Sequence, residues 1–197
     1  MSTHSTSSVL SARLDTPLGT LKIDACQQGL TAITFLNDAP TLATFAPELA
    51  RRTVDNAQAQ VMSPVGRCLL TSLEQHDAQI AAHLTNAVDQ LSDYFIGRRR
   101  VFQLALAATG TEFQQRAWQQ LCQIPYGKTW SYRQQAVALG NDKASRAVGA
   151  ANAKNPLAIV VPCHRVIASN QQLTGYAGGL SRKLALLQLE RLFDKTE

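Results

Sequence analysis

Apolar and polar positions change their period along this chain, and the changes divide it into regions. Near the start, Leu18, Leu21 and Ile23 stand in a stretch rich in Thr and Gly, Gln27-Gln28-Gly29 has turn composition, and Leu30, Ile33, Phe35 and Leu36 resume beyond it. Two apolar runs on either side of a glycine turn predict a β-hairpin on a small sheet. Residues 41–60 carry no usable period, and Pro47 and Pro64 punctuate the region. From Gln79 to Phe95 the residues Ile80, Leu84, Val88, Leu91 and Phe95 recur at three- and four-residue spacing, which is one face of an amphipathic helix, and Gly97 stops it.

Shorter helices are predicted further on. Thr111 followed by Gln114 is a capping-box pattern, so a helix over 112–122 should turn Phe113, Ala117, Trp118 and Leu121 inward before Ile124-Pro125-Tyr126-Gly127 ends it. Ser131 can cap a second helix through Leu139, Gly140 terminates that one, and Asp142 can cap a third through Ala153. Two short helices joined by a tight turn with Gly fit a helix-turn-helix and equally an ordinary helical hairpin. The third helix carries Ala144, Ser145, Ala147, Gly149, Ala150 and Ala151 around one long side chain, Arg146. A helix with so little bulk can approach a surface closely, and a narrow minor groove is one surface that demands it. Residues 157–161 are a continuous apolar run that predicts a buried strand, and Pro162 marks where the chain leaves it.

Cys163 and His164 follow that proline. A thiol becomes a nucleophile as its thiolate, so a neighbouring base, cation or helix N-terminus must activate it, and His164 can serve directly or through water. The same cysteine is equally well read as a small buried apolar residue. The other three cysteines, Cys26, Cys68 and Cys122, have no CxxC spacing, which suggests reduced thiols and neither a disulfide framework nor a zinc finger. His4, His76 and His83 have no comparable context.

Charge sharpens this picture. The 197 residues carry a formal net charge of +5, but residues 1–97 hold 5 basic and 9 acidic side chains, while residues 98–197 hold 14 basic and 5 acidic. A basic half suits a polyanion such as nucleic acid, or is a solvated surface. No run approaches the roughly 20 apolar residues of a membrane span, and residues 2–8 lack the character of a signal peptide, so a soluble cytoplasmic protein without a membrane partner is expected. The division at Gly97 suggests an N-terminal α/β domain over 1–97 and a C-terminal domain over 98–197.

Pro162-Cys163-His164-Arg165-Val166, preceded by Asn155-Pro156 and followed by Gly175-Tyr176-Ala177-Gly178-Gly179, resembles the active-site signature of the O6-alkylguanine-DNA alkyltransferases. The likeness extends through Ile124-Pro125-Tyr126-Gly127, Ser131-Tyr132 and residues 143–149 in the same order, and more weakly to residues 16–19. It implies an α+β protein: an N-terminal domain with a small antiparallel sheet plus helices, and a mostly helical C-terminal helix-turn-helix domain that binds alkylated double-stranded DNA in the minor groove. Such proteins flip the damaged guanine out and transfer its O6-alkyl group irreversibly to a cysteine, one lesion per molecule, with O4-alkylthymine a second candidate substrate.

The resemblance also implies roles. Cys163 is the acceptor, His164 and Glu190 draw its proton through a water, Asn155 braces the loop, and Tyr132 donates toward the departing base. Arg146 fills the space of the flipped nucleotide, on a face made with Ala144, Ser145, Ala147, Gly149 and Ala150. Backbone groups of Cys163, Val166 and Ala177 read the guanine edge, Tyr176 stacks on it, and Gly178, Lys183 and Tyr132 complete the pocket. Ala177 stands where some members have serine, Ala158 where some have proline, and Asn152 where some have methionine in the wall. No cofactor is implied. Some animal members hold a structural zinc, but only Cys26 falls at a matching position, so none is expected, and the protein should act as a monomer, with cooperative binding on DNA as the alternative. A non-catalytic alkylguanine-binding relative would lack the cysteine, a cysteine hydrolase leaves Arg146 and its helix unexplained, and a plain helix-turn-helix regulator leaves Pro162–Val166 idle.

Overall fold

In the first strands alternate side chains are apolar, so one face of a sheet is greasy and the other polar. The structure, a computed structural model, describes residues 8–36 and 78–194; Cys68, His4, His76 and the region with Pro47 and Pro64 lie outside them. Strands β1 (Leu10–Thr16), β2 (Gly19–Cys26) and β3 (Gly29–Phe35) form an antiparallel sheet in that order. Ala12, Leu14, Leu21, Ile23 and Ile33 are buried on its inner face, while Arg13 pairs with Lys22, and Lys22 with Thr34, on the other. The predicted hairpin is β2–β3. Strand β1 adds a third member that the sequence reading did not include.

Helix α1 (Ala78–Phe95) lays Ile80, Leu84, Val88 and Leu91 against that sheet, as its period predicts. The helix gives way to a turn that contains Gly97, whose φ of +77° suits glycine. A Cβ there would stand 2.4 Å from the ring of Phe193, so the close approach also requires glycine. That contact joins the end of α1 to the last helix of the chain.

The second half contains α2 (Glu112–Leu121), α3 (Tyr132–Ala138), α4 (Ser145–Ala153) and α5 (Leu180–Asp194), with β4 (Trp130–Ser131) and β5 (Val166–Ile167) as a short parallel pair. The predicted capping box forms, Thr111 with Gln114 at α2, and Ser131 caps α3 as expected, there as a second capping box with Gln134. Ala117, Trp118 and Leu121 are buried, but Phe113 in the first turn of α2 is 37% exposed. The period of a helix gives its apolar face and not how far its neighbours cover it. Asp142 does not cap α4. Residues 142–144 turn first, with Asn141 Oδ1 accepting from the Lys143 amide at 3.1 Å, and α4 begins at Ser145 without a side-chain cap.

Residues 157–161 are buried as expected except for half-covered Ala158, but they do not form a strand. Val160 N–H donates to the Ala158 carbonyl at 2.9 Å, closing a three-residue turn around Ile159 at φ +72°. A second such turn follows, with Cys163 N–H donating to the Val161 carbonyl at 2.8 Å across Pro162. A β-branched residue at positive φ is strained, so the surrounding structure must hold it there. Apolarity reported burial and not backbone path.

Candidate active site

After these two tight turns the chain enters a 3-10 turn, Cys163–Arg165, that presents three consecutive buried functional side chains. Asn155 braces the approach. Its Nδ2 donates to the Val161 carbonyl at 2.8 Å and to Cys163 Sγ at 3.2 Å, while its Oδ1 accepts from the Leu157 amide at 3.0 Å. Cys163 is 8% exposed, and burial raises its thiol pKa, with the Asn155 hydrogen bond and the Lys183 charge opposing the rise. The resting group is therefore a thiol that needs a base.

His164 is the neighbouring candidate. Its Nε2 meets Glu190 Oε1 at 2.9 Å, and an ionised carboxylate only accepts, so Nε2 carries the proton and Nδ1 is the free acceptor. Nδ1 is buried and has no hydrogen-bond partner in the protein. Burial lowers the His164 pKa against the opposing pull of Glu190, which keeps the ring neutral near pH 7.

Glu190 lies on α5 and gathers donors from four directions. Arg165 Nε reaches Oε2 at 2.9 Å and Nη2 reaches Oε1 at 2.9 Å, Gly127 N–H donates to Oε2 at 3.1 Å, and the Tyr94 hydroxyl donates to Oε1 at 2.8 Å. Burial alone would raise this carboxyl, but contact with His164 and Arg165 overrides it and holds the pKa at about 2. With His164 neutral, the permanent charge of Arg165 dominates. Gly127 sits at φ +70°, where glycine is favoured, and this aims its amide at the carboxylate. Arg165 also donates to the Ile124 carbonyl at 2.7 Å. Arg165, Tyr94 and Gly127 were given no role from the sequence. The need of a buried carboxylate for a cation could have raised Arg165, but nothing in the local pattern links Tyr94 to a residue 96 positions away.

Lys183 is fully buried and ties three backbone segments together. Its Nζ donates to the carbonyls of Val166 and Thr174, each at 2.6 Å, and of Gly175 at 3.2 Å. Burial lowers its pKa to about 8. The Tyr132 hydroxyl, at the start of α3, donates to the same Thr174 carbonyl at 3.2 Å. Tyr176 stands edge-on to His164 with ring centroids 6.5 Å apart. Gly178 packs on Tyr176, for a Cβ there would lie 2.7 Å from its ring, and its carbonyl accepts from Arg182. Ala177 is exposed beside them.

On α4, Val148, Ala151 and Asn152 face inward, while Arg146, Ala147 and Ala150 are exposed and Ala144, Ser145 and Gly149 are half-buried. The outer face is thus small residues around one long cation. Gly149 lies against the Tyr132 ring at ordinary contact distance. Asn152, expected in the pocket wall, instead pairs reciprocally with buried Gln135: Nδ2 to Oε1 at 2.8 Å, and Gln135 Nε2 to Oδ1 at 3.2 Å. It fastens α4 to α3.

A separate cavity of about 580 Å³, lined by Trp130, Gln134, Ile167 and Leu187 among others, includes none of Cys163, His164 or Tyr176. Among the described residues no group of three His, Cys, Asp or Glu side chains could hold a metal ion, and no helix is long and apolar enough to cross a membrane.

Both halves of the chain resemble known proteins. The family profile described as 6-O-methylguanine DNA methyltransferase, DNA binding domain, matches residues 112–192, and that described as 6-O-methylguanine DNA methyltransferase, ribonuclease-like domain, matches residues 9–108. A methylated-DNA–protein-cysteine methyltransferase of Mycobacterium leprae (strain TN) is 57% identical over 105 residues, 53% of this chain and 64% of that protein. Another, of Methanosarcina barkeri (strain Fusaro / DSM 804), is 54% identical over 104 residues, 53% of this chain and 66% of that protein. The matched stretch therefore spans just under two thirds of these relatives. The crystal structure of Mycobacterium tuberculosis O6-methylguanine methyltransferase superposes with a TM-score of 0.70 at 36% identity, covering 96% of this chain and 97% of that one. A crystal structure of Mycobacterium tuberculosis OGT in complex with DNA gives 0.68 at 36% identity, covering 92% of each. Two domain profiles in the right order and a shared whole-chain fold, around a Pro-Cys-His-Arg-Val loop, establish that this chain belongs to the 6-O-methylguanine DNA methyltransferase family.

Proposed function

We propose that this protein repairs DNA by taking the alkyl group of O6-alkylguanine onto Cys163, irreversibly and once per molecule. The observation that carries the reading is the loop itself: a thiol held by Asn155, beside a neutral histidine that is backed by an ionised Glu190. In the reaction the thiol proton passes through a water to His164 Nδ1, and the imidazolium formed is stabilised by Glu190. The thiolate then attacks the sp³ alkyl carbon. The S–C bond forms as the C–O6 bond breaks, and the electron pair moves onto the guanine. Tyr132 donates a proton to the ring so that a neutral base departs. Its hydroxyl must exchange the Thr174 carbonyl for the base. An alkyl group on the O4 of thymine presents the same carbon chemistry.

The exposed small-residue face of α4 supports double-stranded DNA as partner, approached from the minor groove, with Arg146 entering the stack as the nucleotide leaves. Backbone groups of Cys163, Val166 and Ala177 would read the guanine edge, and Tyr176, Gly178 and Lys183 would shape the pocket. The protein would act as a monomer without a cofactor. A thiol that must remain free fits the reducing cytoplasm.

Mixing the protein with duplex DNA carrying O6-methylguanine should add the mass of one methyl group, located by peptide mapping at Cys163. Cys163→Ala should abolish transfer and spare DNA binding. Methyl groups on Cys26, Cys68 or Cys122, or no transfer at all, would overturn the proposal.

A further inference from the structure

Tyr94 lies in the last turn of α1, within the stretch that matches the ribonuclease-like domain, far in sequence from the Cys163 loop. Its hydroxyl nevertheless donates to Glu190 Oε1 at 2.8 Å, the oxygen that His164 Nε2 meets at 2.9 Å. We propose that Tyr94 is a positioning residue: by sharing Oε1 with His164 it weakens the pull of Glu190 on the imidazole and so sets the pH at which Cys163 gives up its proton. This inference rests on the proton path from Cys163 to His164 described above.

The physical argument is a competition for one oxygen. A hydrogen bond donated to a carboxylate draws charge from it, and an imidazolium beside that oxygen is then stabilised less. Removing the hydroxyl frees that charge for His164, which becomes the stronger base. The carboxylate keeps its orientation, because Arg165 still grips both oxygens and Gly127 N–H still holds Oε2. Tyr94 itself stays neutral over the working range, for burial pushes its pKa well above the ordinary value.

Other groups face this cluster. His164 feels Arg165 and Lys183, and Cys163 feels Lys183 from α5. Tyr126 lies near Glu190 and Arg165, with Arg100 and Asp194 beyond it, and Tyr176 lies near Cys163 with Arg182 behind it. Lys183, at about 8, titrates in the range of interest. It does so in wild type and variant alike, so their difference isolates the hydroxyl.

The test is the rate at which iodoacetamide alkylates Cys163, followed by peptide mass spectrometry across about pH 5 to 10 in the full chain. In Tyr94→Phe, which keeps the ring contacts to Phe95, Phe102 and Tyr126, the midpoint should fall by about one unit, making the reaction about tenfold faster below it. Tyr94→Leu should move the midpoint equally while lowering thermal stability. An unchanged or raised midpoint in the folded variants overturns the proposal, and a purely structural tyrosine would give that result. Methyl transfer from O6-methylguanine DNA to wild type is measured in parallel. Its failure would refute the proposed activity, whereas the iodoacetamide midpoint judges Tyr94 by itself.

Discussion

The interior beneath the sheet and the interior behind Cys163 are built from different material. Between the sheet and α1 the buried side chains are Leu, Ile, Val and Ala, with Leu21, Ile23, Ile33, Ile80, Leu84 and Leu91 all fully covered. Behind Cys163 lie His164, Arg165, Lys183 and Glu190, each 6% exposed or less. An apolar interior stabilises the fold by leaving water, whereas buried charges cost free energy unless every one is matched. The first region therefore holds the molecule together. The second is tolerated because Glu190 pairs with Arg165 and His164 while backbone carbonyls hold Lys183.

This contrast can be broken most severely at Arg165. Arg165→Met leaves Glu190 buried without its cation, and should destabilise the protein by about 3–5 kcal/mol in urea unfolding. Arg165→Lys should recover only part of that, since an ammonium cannot fork across both oxygens. The wild-type network also fixes the acid limit. Glu190 is held at about 2, below its ordinary 4.5, so its stabilising contribution is complete above about pH 4.5 and is lost as pH falls toward 2. The lowered His164 pKa acts in the same direction, because the unfolded ring binds its proton first as the pH falls below about 6.5. Equal acid stability in wild type and Arg165→Met would refute this assignment.

Leu84→Ala tests the other interior. It should cost about 3 kcal/mol through lost burial and a cavity, yet leave the pH dependence of Cys163 alkylation where it was. A shifted midpoint would mean that the two interiors are not separable.

The smallest effect is expected on the surface, at Arg146. If it props open the base stack, Arg146→Ala should slow methyl transfer on duplex DNA by roughly tenfold to a hundredfold, about 1.4 to 2.8 kcal/mol, and leave reaction with the free modified base nearly unchanged. Arg146→Leu should regain part of the duplex rate by filling the gap. Similar losses on duplex and single-stranded DNA, with a salt slope lower by about one, would make it a phosphate contact instead.

The apolar interior was the more legible of the two. The stripe from Ile80 to Phe95 and the two capping boxes are local patterns, and the chain obeys them. Where local pattern misled, tertiary contacts had decided. Ile159 adopts positive φ with no glycine or asparagine to announce it, and Asp142 lies in a turn that precedes α4. At the site, Cys163, His164, Asn155 and Glu190 were read through resemblance, and they are neighbours in space. Tyr94 was invisible because it lies on an ordinary helical stretch, and only its hydrogen bond to Glu190 on α5 shows where its hydroxyl goes.

Strand β3 has a second neighbour on its far side. Leu30 exchanges hydrogen bonds with Ala105 and Ala107, and Ile33 with Pro156 and Ala158, so segments from beyond α1 bridge that edge at two points. Bare edge strands recruit other chains, and these bridges work as a guard against aggregation. A fragment ending near Gly97 would lose both guards, leaving an unpaired strand on offer to its own copies. The segment that shapes the approach to Cys163 also helps keep the sheet from becoming the seed of an aggregate.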